Sequence, residues 1–170
     1  MIKIDKRELI IEQAVALFGE LGYYKTTTAQ VARAAGVTQP YIFHFFANKE
    51  ELFKAVLDRA VMRLAEAFSQ VDGSADLIIQ NMGRSFQAIM ESHRNEILMV
   101  MQAHAIAEEQ IRDYMSTIYR NIHRTISAKF QDAGISRPEE EATRFMAKGQ
   151  FHVVAEVLHL DELMVHTKKD

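Results

Sequence analysis

Between positions 38 and 44, Thr38, Gln39, Tyr41 and His44 gather side chains that can read a nucleic-acid surface. A glutamine amide can pair bidentately with an adenine edge, and a threonine or tyrosine can meet a thymine methyl or a phosphate. Tyr41 and His44 are three residues apart, which puts them on one side of a helix. Upstream, Thr27 and Thr28 bring hydroxyls to a helix start, where unpaired backbone N–H groups and the helix dipole favour an anion such as phosphate. Lys49 adds a charge suited to the flanking phosphate backbone. Each of these residues also has an ordinary structural use, the threonines as helix caps and the aromatic residues as core. Only the constellation points to DNA.

Other chemistry finds little support. Glu156 and His159 have the Glu-x-x-His spacing of di-metal helix bundles, and Glu91, His93, Glu108 and Glu109 supply further donors. Such a site needs two copies of the motif plus two further inward glutamates, and no second copy is found, so a solvated helix end explains the pair better. Cysteine is absent, which excludes disulfides, thiolate zinc sites and cysteine nucleophiles. There is no glycine-rich phosphate loop, no His-Glu-x-x-His and no recognisable Ser-His-Asp arrangement. The expectation is a protein that is not an enzyme and has no cofactor.

The elements that must position the DNA-reading residues are helices throughout. Apolar residues recur at three- and four-residue spacing, and only seven Gly and two Pro interrupt 170 residues. A first helix runs from its cap at Asp5 to Leu21, with Gly22 as the stop. Thr27 and Gln30 have capping-box spacing and start a short helix reaching Ala35; Gly36 supplies a tight turn. Thr38 caps a second short helix, Gln39 to Phe46, with Pro40 in its first turn, where the missing N–H costs nothing. Val31, Ala32, Ala35, Val37, Ile42 and Phe46 would clamp the two onto the first helix, leaving the polar face free. Asn48 and Glu51 repeat the capping signature and open a longer helix that ends at Asp72-Gly73-Ser74. Further helices are expected at about 75–92, 95–108, 110–132 and 137–160.

The run Gly22-Tyr23, Thr26-Thr27, Val31-Ala32, Ala34 to Thr38, Ile42 to Phe46 and Asn48 to Leu52 resembles the N-terminal domain of TetR/AcrR-type transcriptional regulators. The likeness extends over about residues 5–65 without a gap. Two positions depart from it. Phe43 stands where the family usually has a phosphate-touching tyrosine, and Pro40 where glycine is commoner. The resemblance implies an all-α fold: a three-helix helix-turn-helix DNA-binding domain at 1–50 (motif about 27–46), a linking helix at 51–70, and an effector-binding and dimerisation domain at 71–170. It also implies contacts to double-stranded DNA through Thr27, Thr28, Thr38, Gln39, Tyr41, Phe43, His44 and Lys49. The expected function is a homodimeric repressor released from a pseudo-palindromic operator by a small apolar or amphipathic effector. The competing reading is a protein-interaction module with a degenerate helix-turn-helix.

The charge balance leaves room for both. The net charge is −3, but residues 1–60 carry eight Lys/Arg against seven Asp/Glu, while residues 61–170 carry twelve against sixteen. Lys3, Lys6, Arg7, Lys25, Arg33, Lys49 and Lys54 must therefore neutralise most of any bound phosphate. The C-terminal half has no motif, yet its apolar content, 48% over the whole chain with nine Met, suits an adaptable pocket. Candidate lining residues are Phe86, Met90, Met101, Met115, Ile118, Ile122 and Phe145, with His104, Tyr114, Tyr119, His123 and His152 as polar interruptions. The last helix is apolar on almost every side, so Phe151, Val154, Ala155 and Leu158 are candidates for a two-fold interface. The longest aliphatic run, Ile97 to Met101, is too short to span a bilayer, and no signal peptide is recognised. No membrane partner and a cytoplasmic location are expected.

Overall fold

The computed structural model describes residues 5–163; Lys3 and the other residues at 1–4 and 164–170 lie outside that range. Eight α-helices follow one another: α1 (Lys6–Lys25), α2 (Thr28–Ala34), α3 (Gln39–Phe45), α4 (Lys49–Ser69), α5 (Ile78–Ser92), α6 (Arg94–Ala103), α7 (Glu109–Asp132) and α8 (Pro138–Val157). A single 3₁₀ turn, Asp161–Leu163, closes the described chain. The fold is all-α. No described helix is long and apolar enough to cross a membrane.

Local chemistry accounts for the helix ends. Asp5 accepts a hydrogen bond from the Arg7 N–H at 2.9 Å and caps α1. Gly22, at φ 76° and ψ 172°, breaks the helical path, and one further turn carries the chain to Lys25, beyond the expected end at Leu21. Asn48 Oδ1 accepts from Glu51 N at 2.8 Å and starts α4. Ser74 O accepts from both Leu77 N and Ile78 N at 2.9 Å, so residues 75–77 form a turn and α5 starts three residues later than the periodicity predicts. The expected 95–108 helix stops at Ala103, because Ala105 and Ile106 donate to carbonyls three residues back and Glu108 is extended (ψ 121°). α8 ends at Val157 rather than 160, and His159 takes a left-handed φ of 55°.

Two apolar clusters hold the molecule together, and α4 contributes to both. Ile10, Phe18, Val31, Ile42, Leu52 and Leu57 form the core of the N-terminal helices, which continues without a break into Met99, Val100, Ile111 and Met115 of α6 and α7. Leu64 and Phe68, further along α4, join Ile78, Met82, Met90, Ile97, Ile126 and Phe130 in the second cluster. Each fully buried side chain of this size contributes about 1.5–3 kcal/mol. At 21 residues α4 is about 30 Å long and acts as a common strut. Polar contacts reinforce the junction: the Tyr24 hydroxyl donates to Glu108 Oε2 and accepts from Ala107 N, both at 3.0 Å. Glu96 of α6, only 3% exposed, accepts from Arg59 Nε at 2.9 Å and lies 3.3 Å from Arg63 Nη1, both on α4.

Candidate functional site

The site is assembled from α2, a four-residue turn and α3. Thr27 Oγ1 accepts from Gln30 N at 3.2 Å while Gln30 Oε1 accepts from Thr27 N at 2.7 Å, so the predicted capping box is complete. At the other end of α2, Val37 N donates to Ala32 O at 3.0 Å and Gly36 N to Arg33 O at 3.2 Å. This pair of bonds is a Schellman closure, and it requires the left-handed φ of 64° that Gly36 adopts without a Cβ penalty. Val31, Ala32, Ala35, Ile42 and Phe46 are buried and Val37 is half-buried, which seats both helices on α1.

That seating fixes which residues of α3 face outward. Ile42 is buried completely, whereas Thr38, Gln39, Tyr41, Phe43 and His44 are exposed. The Thr38 side chain makes no capping hydrogen bond, so its hydroxyl is available to a ligand. Tyr41 and His44 stack with centroids 6.3 Å apart, and both pack edge-on against Phe45, which holds the pair to one side of α3. Phe43, 46% exposed, presents a bare ring suited to a thymine methyl.

Two expected contacts are placed differently. Thr28 is 8% exposed, and its hydroxyl accepts from Gln39 Nε2 at 2.9 Å instead of facing a phosphate. The reason is the tight α2–α3 crossing, which brings these side chains together. The contact orients the Gln39 amide: one N–H is held, leaving the second N–H to donate to N7 and Oε1 to accept from N6 of an adenine edge. Lys49 is half-buried; its Nζ donates to Tyr23 O at 3.0 Å and lies 4.2 Å from the Tyr23 ring centroid. It ties the start of α4 to the end of α1 rather than standing free. Burial, a hydrogen bond to Glu50 and neighbouring carboxylates push the Tyr23 phenol well above its ordinary range. Lys6, Lys25 and Arg33 are exposed with no carboxylate within 4.0 Å among the described residues. They are the head's free cations.

In the C-terminal half, a partly open apolar pocket of about 60 Å³ lies between α4, α5, α6, α7 and α8. It brings together Phe86, Met101, Tyr119, Ile122 and Phe145 of the predicted set, with Leu64, Phe68, Ile97, Met146 and Gln150 among the other wall residues. Tyr119 donates to Gln150 Oε1 at 3.1 Å. His104, Met115 and His123 instead line a wide cleft of about 980 Å³ between α7 and α8. The other candidates fall elsewhere. Met90 and Ile118 are buried in the two apolar clusters. Tyr114 hydrogen-bonds Asp58 across the α4–α7 seam, and His152 packs edge-on against Phe86 at 6.3 Å behind the cavity wall. Periodicity finds apolar faces but does not distinguish a cavity wall from solid core. Gln150 was missed for want of a motif, although a lone polar residue among apolar neighbours was a usable signal.

On α8, Phe151, Val154 and Leu158 are 48%, 42% and 59% exposed, an unpartnered apolar stripe. Ala155 does not belong to it. It is fully buried, and its carbonyl accepts from Leu160 N at 2.8 Å where the chain leaves α8. Glu156 is engaged by Arg94 Nε at 2.8 Å, and among the described residues no group of three His, Asp or Glu side chains could hold a metal ion.

The helix-turn-helix head is continuous in its core with a helical body that carries an apolar pocket. Residues 10–56 match the family of bacterial regulatory proteins called the tetR family. The chain is 28% identical over 152 residues to the uncharacterised HTH-type transcriptional regulator YhgD of Bacillus subtilis, covering 85% of this chain and 80% of that protein. It is 40% identical over 63 residues to the HTH-type transcriptional repressor ComR of Escherichia coli, a match confined to 37% of this chain and 30% of ComR. The fold is shared with Salmonella enterica GusR at a TM-score of 0.75, 20% identity, and 90% and 84% coverage. The head, residues 10–56, is thus a DNA-binding domain of the tetR family, and the match along most of the chain to an HTH-type transcriptional regulator supports a DNA-binding transcriptional regulator.

Proposed function

We propose that this protein is a homodimeric repressor that binds a pseudo-palindromic operator and is released by a small apolar or amphipathic effector held in the C-terminal cavity. The observation that carries the reading is the outward face of α3, on which Thr38, Gln39, Tyr41 and His44 stand together, with Gln39 oriented by Thr28. Gln39 reads an adenine edge; Tyr41 and His44 contact the neighbouring bases or backbone; Thr27, Lys25 and Arg33 meet phosphates. The Phe151, Val154 and Leu158 stripe is the favoured two-fold contact, and a two-fold dimer places its α3 helices in major grooves about 34 Å apart or somewhat more. An effector can shift DNA affinity only by its differential affinity for the two arrangements, commonly about 1–3 kcal/mol per coupled site. The core shared between head and body gives that difference a physical route.

The test is selection of bound sequences from a random double-stranded pool, with the winners retested across salt. Recovery of an inverted repeat supports the reading. Absence of enrichment at low salt favours an interaction module instead, and a protein that sediments as a monomer at micromolar concentration contradicts the dimer.

A further inference from the structure

Gln39 opens α3 at an exposed position, yet its amide is held at one end. Nε2 donates to Thr28 Oγ1 at 2.9 Å, and Thr28 is 8% exposed at the start of α2. The anchor is stiff. The Thr27–Gln30 capping box and the Gly36 closure fix both ends of α2, and Pro40, with its φ set by the ring, follows Gln39 directly. With one N–H occupied, the amide offers a base one donor and one acceptor, the pattern that adenine complements through N7 and N6.

The adenine amino group carries two hydrogens. One pairs with thymine O4 inside the duplex, and the other points into the major groove, where Gln39 Oε1 accepts it. A methyl group on N6 has to take the groove position, because the remaining hydrogen is needed for the base pair. It removes the donor and puts a carbon against the amide oxygen, which is then desolvated without a partner. The surroundings of Gln39 offer no substitute. Phe43 lies one turn along the same side of α3 and ends in a ring, 46% exposed, with no polar atom, and Pro40 has no N–H. Among the described residues the bond to Thr28 is the one hydrogen bond of the Gln39 amide.

We propose that this protein senses adenine methylation: it holds its operator when the adenine read by Gln39 is unmethylated and leaves it when that adenine carries an N6-methyl group. Thr28 is the positioning residue that keeps the amide from turning aside. The proposal rests on the reading of α3 as the DNA-reading helix. It adds to the regulator an input carried by the DNA itself.

The test starts from the operator recovered by selection. Synthetic duplexes carry N6-methyladenine at each adenine of a half-site in turn, and the full chain is titrated into each by fluorescence anisotropy. At one adenine the affinity is expected to fall about tenfold or more, the loss of a bidentate base contact, and further when both half-sites are methylated. In Gln39→Ala the ratio of unmethylated to methylated affinity at that adenine is expected to be near one. Thr28→Val keeps the side-chain shape but lacks the acceptor, so its amide can swing away and the ratio narrows; Thr28→Ser restores the parent's ratio. Each ratio is taken within one protein, so a general loss of stability or of DNA affinity does not move it. Thr28→Val also retains Gln39, which keeps the test decisive should Gln39→Ala bind too weakly to measure. A recovered operator that tolerates methylation at every adenine overturns the proposal and leaves operator binding standing, whereas a pool without enrichment overturns both. A ratio in Gln39→Ala or Thr28→Val equal to the parent's likewise overturns the proposal.

Discussion

Replacing Glu96 by alanine is the sharpest test of how the head is joined to the body. Glu96 sits on α6 in the sequence Arg94-Asn95-Glu96-Ile97, is 3% exposed, and holds Arg59 at 2.9 Å and Arg63 at 3.3 Å through one carboxylate oxygen. Its second oxygen, Oε2, is buried without a hydrogen-bond partner, so the pair already carries a desolvation cost. Removing one member of a buried pair costs about 3–5 kcal/mol, because the other charge is left uncompensated. Here the arginine side chains keep 21% and 34% of their exposure and can turn toward water, which lowers the expected loss to about 2–3 kcal/mol. With a urea slope of about 1–3 kcal/mol per molar, the unfolding midpoint should fall by about 0.7–3 M at unchanged slope. Glu96→Gln keeps the shape and an acceptor for Arg59 and should lose only about 1–2 kcal/mol. Replacing all three, as Arg59→Met, Arg63→Met and Glu96→Leu, should recover much of the loss, because packed apolar groups avoid the desolvation cost. An alanine variant within about 0.5 kcal/mol of the parent, the ordinary range for surface substitutions, would refute the claim that this carboxylate links α4 to α6.

Further outcomes follow from the α2–α3 face and its supports. Gln39→Ala should weaken operator binding by about tenfold or more, at about 1–3 kcal/mol for a bidentate base contact, and scrambled DNA much less; equal losses in a paired gel-shift series would show that Gln39 is not a base reader. Lys49→Ala, by removing the contacts to Tyr23, should lower stability by about 1 kcal/mol in urea unfolding. Gly36→Val forces a β-branched residue to φ 64° and should cost about 1–3 kcal/mol, measured as a lower melting temperature with DNA binding reduced in parallel. The phenols of Tyr23, Tyr114 and Tyr119 are raised above the ordinary 10.0, each mainly by burial. A raised folded-state value favours the neutral phenol, so this stabilisation is complete below pH 10 and disappears as pH climbs further. Ultraviolet titration should therefore show a late tyrosine phase that coincides with loss of helical circular dichroism.

Much of this protein was legible in the residues because the forces that shape its DNA-reading head act over a few positions. The Thr27–Gln30 box, the Asn48 cap and the Gly36 turn join atoms at most five residues apart, and alternation of apolar and polar residues on α3 then assigns Ile42 to the core. The helix ends that were misplaced, at 75–77 and 104–108, are turns in which carbonyls find i+3 donors, a choice the apolar period does not record. The Glu96 pair spans 37 positions and the Gln39–Thr28 contact 11, and each exists only because helices cross there. Ala155 reads as part of the two-fold stripe, yet folding buries it fully within its own chain. The apolar pocket is likewise a product of how α4 to α8 pack, since the same residues on an isolated helix would define only a face. Sequence by itself determined the helices, their caps and the chemistry offered at α3, because those depend on neighbours along the chain. Tertiary structure decided which side chains are held, buried or left open to a ligand, because desolvation and enclosure depend on groups that only folding brings near.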